Sequence, residues 1–245
     1  MTRVPHSAHK APTLLDLVFS QGFGSRHECE GLILGGHVSI EGHVATDPTS
    51  RWTGPDLVLT VDGRPWPVVA HALIVLHKPG GFECSLKPSA WPSVMTLLPA
   101  PLRRRGVQPV GRLDQDTTGL LLLTDDGALL HRLTSPKHHV PKVYEAVVKH
   151  ALDDGQCERL RQGVALHGER DVARADEAVA VTTHRLRLTI TSGKYHQVKR
   201  MVAAVGNRVE ALHRMRFGAL SLPADLPAGQ WRWVQPHEVW GTAAP

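Results

Sequence analysis

Asp114 is the residue around which chemistry in this chain can be organised. The stretch Gly111-Arg112-Leu113-Asp114-Gln115-Asp116-Thr117-Thr118-Gly119 places an arginine two residues before this carboxylate and a second carboxylate two residues after it, then runs into Leu120-Leu121-Leu122-Leu123-Thr124. A short, unbroken apolar run reads as a strand buried on both faces. A charged side chain at its mouth is costly unless a function and a counter-ion hold it there. That points to a catalytic carboxylate, acting as nucleophile or as base, where a lone aspartate beside Thr117 would otherwise cap a turn. Asp116 is expected to serve the local turn or to support its neighbour. Two rival readings fail on their own chemistry. Asp114, Asp116, Thr118 and Gly119 mimic the first positions of a calcium loop, but the apolar run would then lie among the ligands and the bidentate glutamate is missing. Asp-Thr-Thr-Gly is one residue off the aspartic protease pattern and has no second copy to complete a dyad.

Three further segments have motif-like composition: His77-Lys78-Pro79-Gly80-Gly81, Lys142-Val143-Tyr144, and Gly193-Lys194-Tyr195-His196-Gln197-Val198-Lys199-Arg200-Met201. Taken in order with Gly-Arg-Leu-Asp, they resemble the pseudouridine synthases, in particular the RsuA family that acts on small-subunit ribosomal RNA. The resemblance covers nearly the whole chain. It implies that Asp114 is the catalytic aspartate, that Lys199 pairs with it, and that Tyr144 stacks on a flipped uracil with its hydroxyl placed to help remove the proton from carbon five. Val143 stands where the family usually has threonine. Arg112, Lys142, His196, Gln197, Arg200, His213, Arg214 and Arg216 are expected to line the RNA cleft, where arginine forks suit phosphates. Arg103-Arg104-Arg105 reads as an exposed loop.

The implied reaction breaks the N-glycosidic bond of uridine, rotates the uracil and rejoins it through carbon five. No redox step or external group enters, so no cofactor is expected. Everting the nucleotide costs about a few kcal/mol, and an ammonium about 4 Å from the carboxylate is worth roughly 4 kcal/mol at an effective dielectric near 20. The stretches 163–171 and 195–201 resemble the enzyme acting on 16S RNA more than its 23S relatives. A 23S synthase is the alternative within the class. A non-catalytic RNA-binding or ribosome-assembly factor is the alternative outside it, and the intact Asp114, Tyr144 and Lys199 argue against that.

The elements that must position these groups are legible in outline. At 42% apolar residues the 245-residue chain can build an ordinary core. No apolar stretch approaches a membrane span and no signal-like segment opens the chain, so a cytoplasmic location is expected; the resemblance implies ribosomal RNA as partner, and a monomer is expected. Cys29, Cys84 and Cys157 lack metal or disulfide spacing, and His138-His139 has no acidic or cysteine partner, so no metal is expected. Residues 1–12 read as a mobile terminus. Leu14, Leu17 and Val18 share a helical face, Ser25 and Glu28 form a capping box opening a second helix, and short strands follow at 38–40, 44 and 57–61. This pattern over 13–63 resembles the RNA-binding module of the fourth small-subunit ribosomal protein, with Arg26 as its candidate RNA contact. Its charge departs from that likeness: two cations face seven anions, a net −5 in a chain of +5, so RNA contact by the module is left open. Residues 64–70 read as a proline-bearing linker, and 71–245 as a catalytic domain with strands at 72–76, 120–124, 144–148 and 185–190 and a helix over 195–205. In the strand 185–190, Arg185, Arg187 and Thr189 should face outward. The fold class is α+β, a mixed, mainly antiparallel sheet behind a small N-terminal α/β module.

Overall fold

A computed structural model describes residues 11–241; the terminus read as mobile lies, up to Lys10, outside the described residues. Residues 11–71 together with 99–106 form one compact unit, and 72–98 together with 107–241 form another.

In the first unit, α1 (Leu14–Ser20) and α2 (Arg26–Leu34) each begin with a capping box, Thr13 with Asp16 and Ser25 with Glu28. Both satisfy backbone donors that a helix start leaves free. Strands β1 (Val38–Ile40), β2 (His43–Val44), β3 (Val58–Val61) and β4 (Arg64–Pro67) form an antiparallel sheet in the order β2-β1-β3-β4. Leu14, Val18, Cys29, Ile33, Val38, Ile40, Leu59 and Val61 make its core. The segment expected as a linker therefore starts as a strand. Asp62 and Gly63 both have positive φ, 49° and 73°, the conformation of a two-residue hairpin turn, so the chain folds back and buries Trp66.

Between the two stretches of the larger unit, 72–98 and 107–241, the chain lends the first unit a short helix, α3 (Ala100–Arg104). Arg105 donates to the Gln21 side chain and to the carbonyls of Val69 and Ala70, while Arg104 donates to Phe23 O and lies 3.8 Å from Glu28. Arg103-Arg104-Arg105 is thus the end of a packed helix, not a free loop. With Arg64 it brings the unit to six cations against seven anions. The strong acidity read from contiguous sequence disappears once this remote segment is counted.

The larger unit is a sheet of nine strands: β5 (Leu73–Lys78), β6 (Gln108–Pro109), β7 (Thr118–Thr124), β8 (Lys142–Val148), β9 (Glu177–Thr182), β10 (Arg185–Ile190), β11 (Val209–Phe217), β12 (Leu220–Ser221) and β13 (Trp231–Trp233). Its main order is β13-β5-β7-β11-β8-β10-β9, with β6 on β7 and β12 on β11. Helices α4 (Gly127–Thr134), α5 (Asp154–Gln162), α6 (Gln197–Ala204) and α7 (Pro236–Trp240) complete it. Leu120 to Leu123 are fully buried, as the unbroken apolar run requires. Only β7 and β11 pair in parallel, over two residues, and the other pairings are antiparallel. Thr189 lies on the outward side as expected but is buried, its hydroxyl against Glu177 of the adjacent β9.

The parallel join fixes one row of side chains across the sheet. Lys78 pairs with Gly119, Gly119 with Arg214, Arg214 with Tyr144 and Tyr144 with Leu188. Directly paired residues point to the same side, so these share one face. Gly119 has φ +106°, and a Cβ there would lie 2.3 Å from the Arg214 carbonyl oxygen. The close approach of β7 and β11 therefore requires glycine.

Candidate active site

The acid loop between β6 and β7 is held from beneath by a lysine. Lys78 is fully buried, and its ammonium donates to the carbonyls of Pro79 (3.0 Å), Gln115 (3.1 Å) and Thr117 (2.8 Å). Burial pushes this ammonium down, against the attraction of Asp116 and Asp114. Gly81 N donates to Gln115 O, Leu113 N to Cys84 Sγ, and Thr117 N to Asp114 O. The backbone around Asp114 is pinned from both sides, and its carboxylate takes no part in the pinning.

That carboxylate is half-buried, its side chain 28% exposed, so it opens to solvent instead of lying in a dry crevice. Lys199 Nζ is 3.3 Å from Oδ2, as the family resemblance implied, and His196 Nε2 is 3.3 Å from Oδ1. Lys199 also donates to both oxygens of Asp116, at 2.7 and 2.9 Å. One ammonium therefore serves two carboxylates. Burial alone would raise the Asp116 carboxyl, but the Lys199 hydrogen bond and charge outweigh it and hold it below the usual range. Burial alone would lower Lys199, yet its hydrogen bond to Asp116 and the charge of Asp114 raise it.

Tyr144 is buried on this face and is tied to β7 through Arg214, whose Nη1 is 3.4 Å from the phenol oxygen and whose Nε donates to Leu120 O at 2.7 Å. Arg214 is 2% exposed, and its Nη2 has no hydrogen-bond partner among the described residues. It belongs to the floor of the site, not to a phosphate-facing surface.

Several expected RNA contacts are placed elsewhere. Gln197 is buried: its amide accepts from Lys194 N and donates to Ser192 Oγ, closing the turn before α6. That turn is why the helix starts at Gln197 and leaves Tyr195 and His196 outside it. Arg200 is taken up by Glu169 and by the carbonyls of Tyr195 and His167. Alternation along β8 and β11 puts Val143 and His213 on the side opposite Tyr144 and Arg214. There His77, His213, Arg187 and Arg216 line a separate pocket of about 490 Å³, and His213 bonds to Thr118 Oγ1. Arg112 is exposed. Arg26, in the first unit, is paired with Asp16 at 3.0 Å and lies over the Phe19 ring.

Lys142 is drawn inward. Its ammonium donates to Thr191 O at 3.2 Å and lies 5.7 Å from the Phe217 ring centre. Burial, aided by the Arg214 charge, pushes it down to about 8 from 10.5. Between those two values the unfolded chain binds a proton that the folded chain has released, so this group's contribution to stability rises with pH across that window. Lys142→Met is expected to raise the melting temperature at pH 7 by about 2–4 °C, equivalent to roughly 1 kcal/mol. The gain should vanish by about pH 10, and an equal gain at both pH values would refute the burial cost.

Sequence reading missed the support given by Lys78 and Cys84. The signal available was a lysine closing an apolar strand, where solvation is lost. Among the described residues no three His, Cys, Asp or Glu side chains converge as metal ligands would, and no helix is long and apolar enough to cross a membrane.

A paired acid and ammonium beside the parallel join of a mixed sheet, with a buried tyrosine on the same face, is the arrangement the motif resemblance implied. Residues 72–204 match the family model described as RNA pseudouridylate synthase, and residues 13–53 match that of the S4 domain. The chain belongs to the RNA pseudouridylate synthase family. It is 39% identical to ribosomal small subunit pseudouridine synthase A of Yersinia pestis, over 94% of this chain and 98% of that protein. With the same enzyme of Escherichia coli K12 it shares 38%, over 92% and 97%. A solved structure described as a pseudouridylate synthase matches with TM-score 0.65 at 30% identity, covering 94% of this chain and 98% of that one. The RsuA-type resemblance drawn from the motifs holds.

Proposed function

We propose that this chain isomerises one uridine of 16S ribosomal RNA to pseudouridine, working in the cytoplasm as a monomer on the assembling small subunit and without metal or cofactor. The observation that carries this reading is the Asp114 carboxylate, held 3.3 Å from both Lys199 Nζ and His196 Nε2 on a loop whose backbone is fixed independently. The names of the relatives support the choice of 16S RNA.

In this mechanism the everted uridine enters beside Asp114, which acts on the sugar as nucleophile or as base. Lys199 offsets the negative charge of the two carboxylates, so the working oxygen need not be reoriented when the substrate arrives. Tyr144 supplies the flat floor on which the detached uracil turns, with the buried Arg214 holding its phenol in place. Freed uracil must be kept from diffusing away before it rejoins carbon one of the ribose.

Mapping pseudouridines in total ribosomal RNA from cells with and without the gene tests the assignment. Loss of a single 16S pseudouridine is expected. Loss of a 23S site would redirect the proposal to the large subunit, and an unchanged map would remove the activity.

A further inference from the structure

Tyr195 is unexplained by the fold. Its side chain is among the most exposed of the large apolar or aromatic groups, at 72%, yet its backbone is tightly built. Arg200 donates to its carbonyl, Gln197 closes the turn on either side of it, and Lys194 pairs with Glu169. The next residue, His196, has φ +47°, in the left-handed region, where a non-glycine residue stores strain. One face of the Tyr195 ring lies on the His196 imidazole, with centroids 3.8 Å apart and planes 20° from parallel. The same imidazole touches Asp114. The sequence therefore fixes a two-ring stack that begins at the reacting carboxylate and ends in solvent.

We propose that the Tyr195–His196 stack is a platform for a nucleobase, the one flanking the everted uridine. When the target base leaves the RNA stack, its neighbour loses a partner. The free face of Tyr195 offers a replacement that accepts any base, because every base has a flat π surface. His196 fixes the distance between that neighbour and Asp114, so stacking also sets the register of the target sugar at the carboxylate. Exposure in the free protein and strain in the turn are both accounted for by a surface kept ready for a strand. This inference rests on the RNA reading proposed above and adds a binding position to it.

The test uses the full-length protein and a 16S RNA fragment containing the mapped uridine, with 2-aminopurine placed in turn on its 5′ and 3′ sides. Wild-type protein should quench the fluorophore on one side. Tyr195→Ala should remove that quenching and raise Kd and KM by roughly 10- to 100-fold with a smaller change in kcat, while Tyr195→Phe should restore binding to within about twofold, since the ring and not the hydroxyl stacks. Replacing the flanking nucleotide by an abasic one should weaken the wild type and leave Tyr195→Ala unchanged. Wild-type turnover of the fragment with no loss of affinity or quenching in Tyr195→Ala overturns the platform alone. Absence of wild-type turnover overturns the platform and the RNA reading together.

Discussion

Asp114→Asn is expected to lower pseudouridine formation by about 10⁴-fold or more while leaving the melting temperature within about 1 °C of wild type. The substitution keeps the size and one oxygen of the side chain but removes its charge and its capacity to act as nucleophile or base. The fold should tolerate it because the loop is fixed through backbone atoms: Thr117 N bonds to the Asp114 carbonyl, and Lys78 holds the carbonyls of Pro79, Gln115 and Thr117. Lys199 keeps Asp116 as a partner at 2.7 Å, so no ammonium is stranded. Release of tritium from carbon five of labelled uridine in the RNA reads the turnover, and filter binding checks that RNA is still held. Turnover near the wild-type rate would take Asp114 out of the mechanism.

Lys199→Met should reduce turnover by about 10²- to 10³-fold, with a change in pH dependence that separates charge loss from mere loosening. Lys199 is the cation shared by Asp114 and Asp116. Without it the Asp116 carboxyl, held low by this lysine, must rise. A carboxyl whose value rises is ionised over less of the acid range. The low-pH limb of the activity profile should therefore move upward, and part of the lost turnover should return as pH increases. Lys199→Arg keeps the charge and should leave the limb near its original place. A Met variant with unchanged rate and profile would refute the role given to the ion pair.

How far such a site can be read from sequence depends on the range of the interactions that build it. The Ser25–Glu28 cap and the buried run 120–123 are local patterns, and they appear as read. The Asp114–Lys199 contact was legible only through a family motif, since 85 positions separate the two residues. Burial of Arg214 and displacement of His213 to the opposite face depend on the register of β8 against β11, which a β-bulge shifts and which no single strand encodes. Arg200 looked free for phosphate because its partner Glu169 lies in a distant loop. The left-handed His196 shortened α6, a departure from helical periodicity placed where strain serves a binding turn.

The excursion of α3 bears on how this protein can be dissected. A clone ending at residue 71 would lack Leu102, which is fully buried, and would strip Gln21 and the carbonyls of Val69 and Ala70 of their Arg105 donor. A clone beginning at residue 72 would carry an orphaned helix with an apolar side chain and two guanidinium groups, those of Arg104 and Arg105, lacking their seats. The two units are thus not divisible at one peptide bond, and a deletion phenotype obtained that way would report on damaged folding as much as on the loss of either unit's own role.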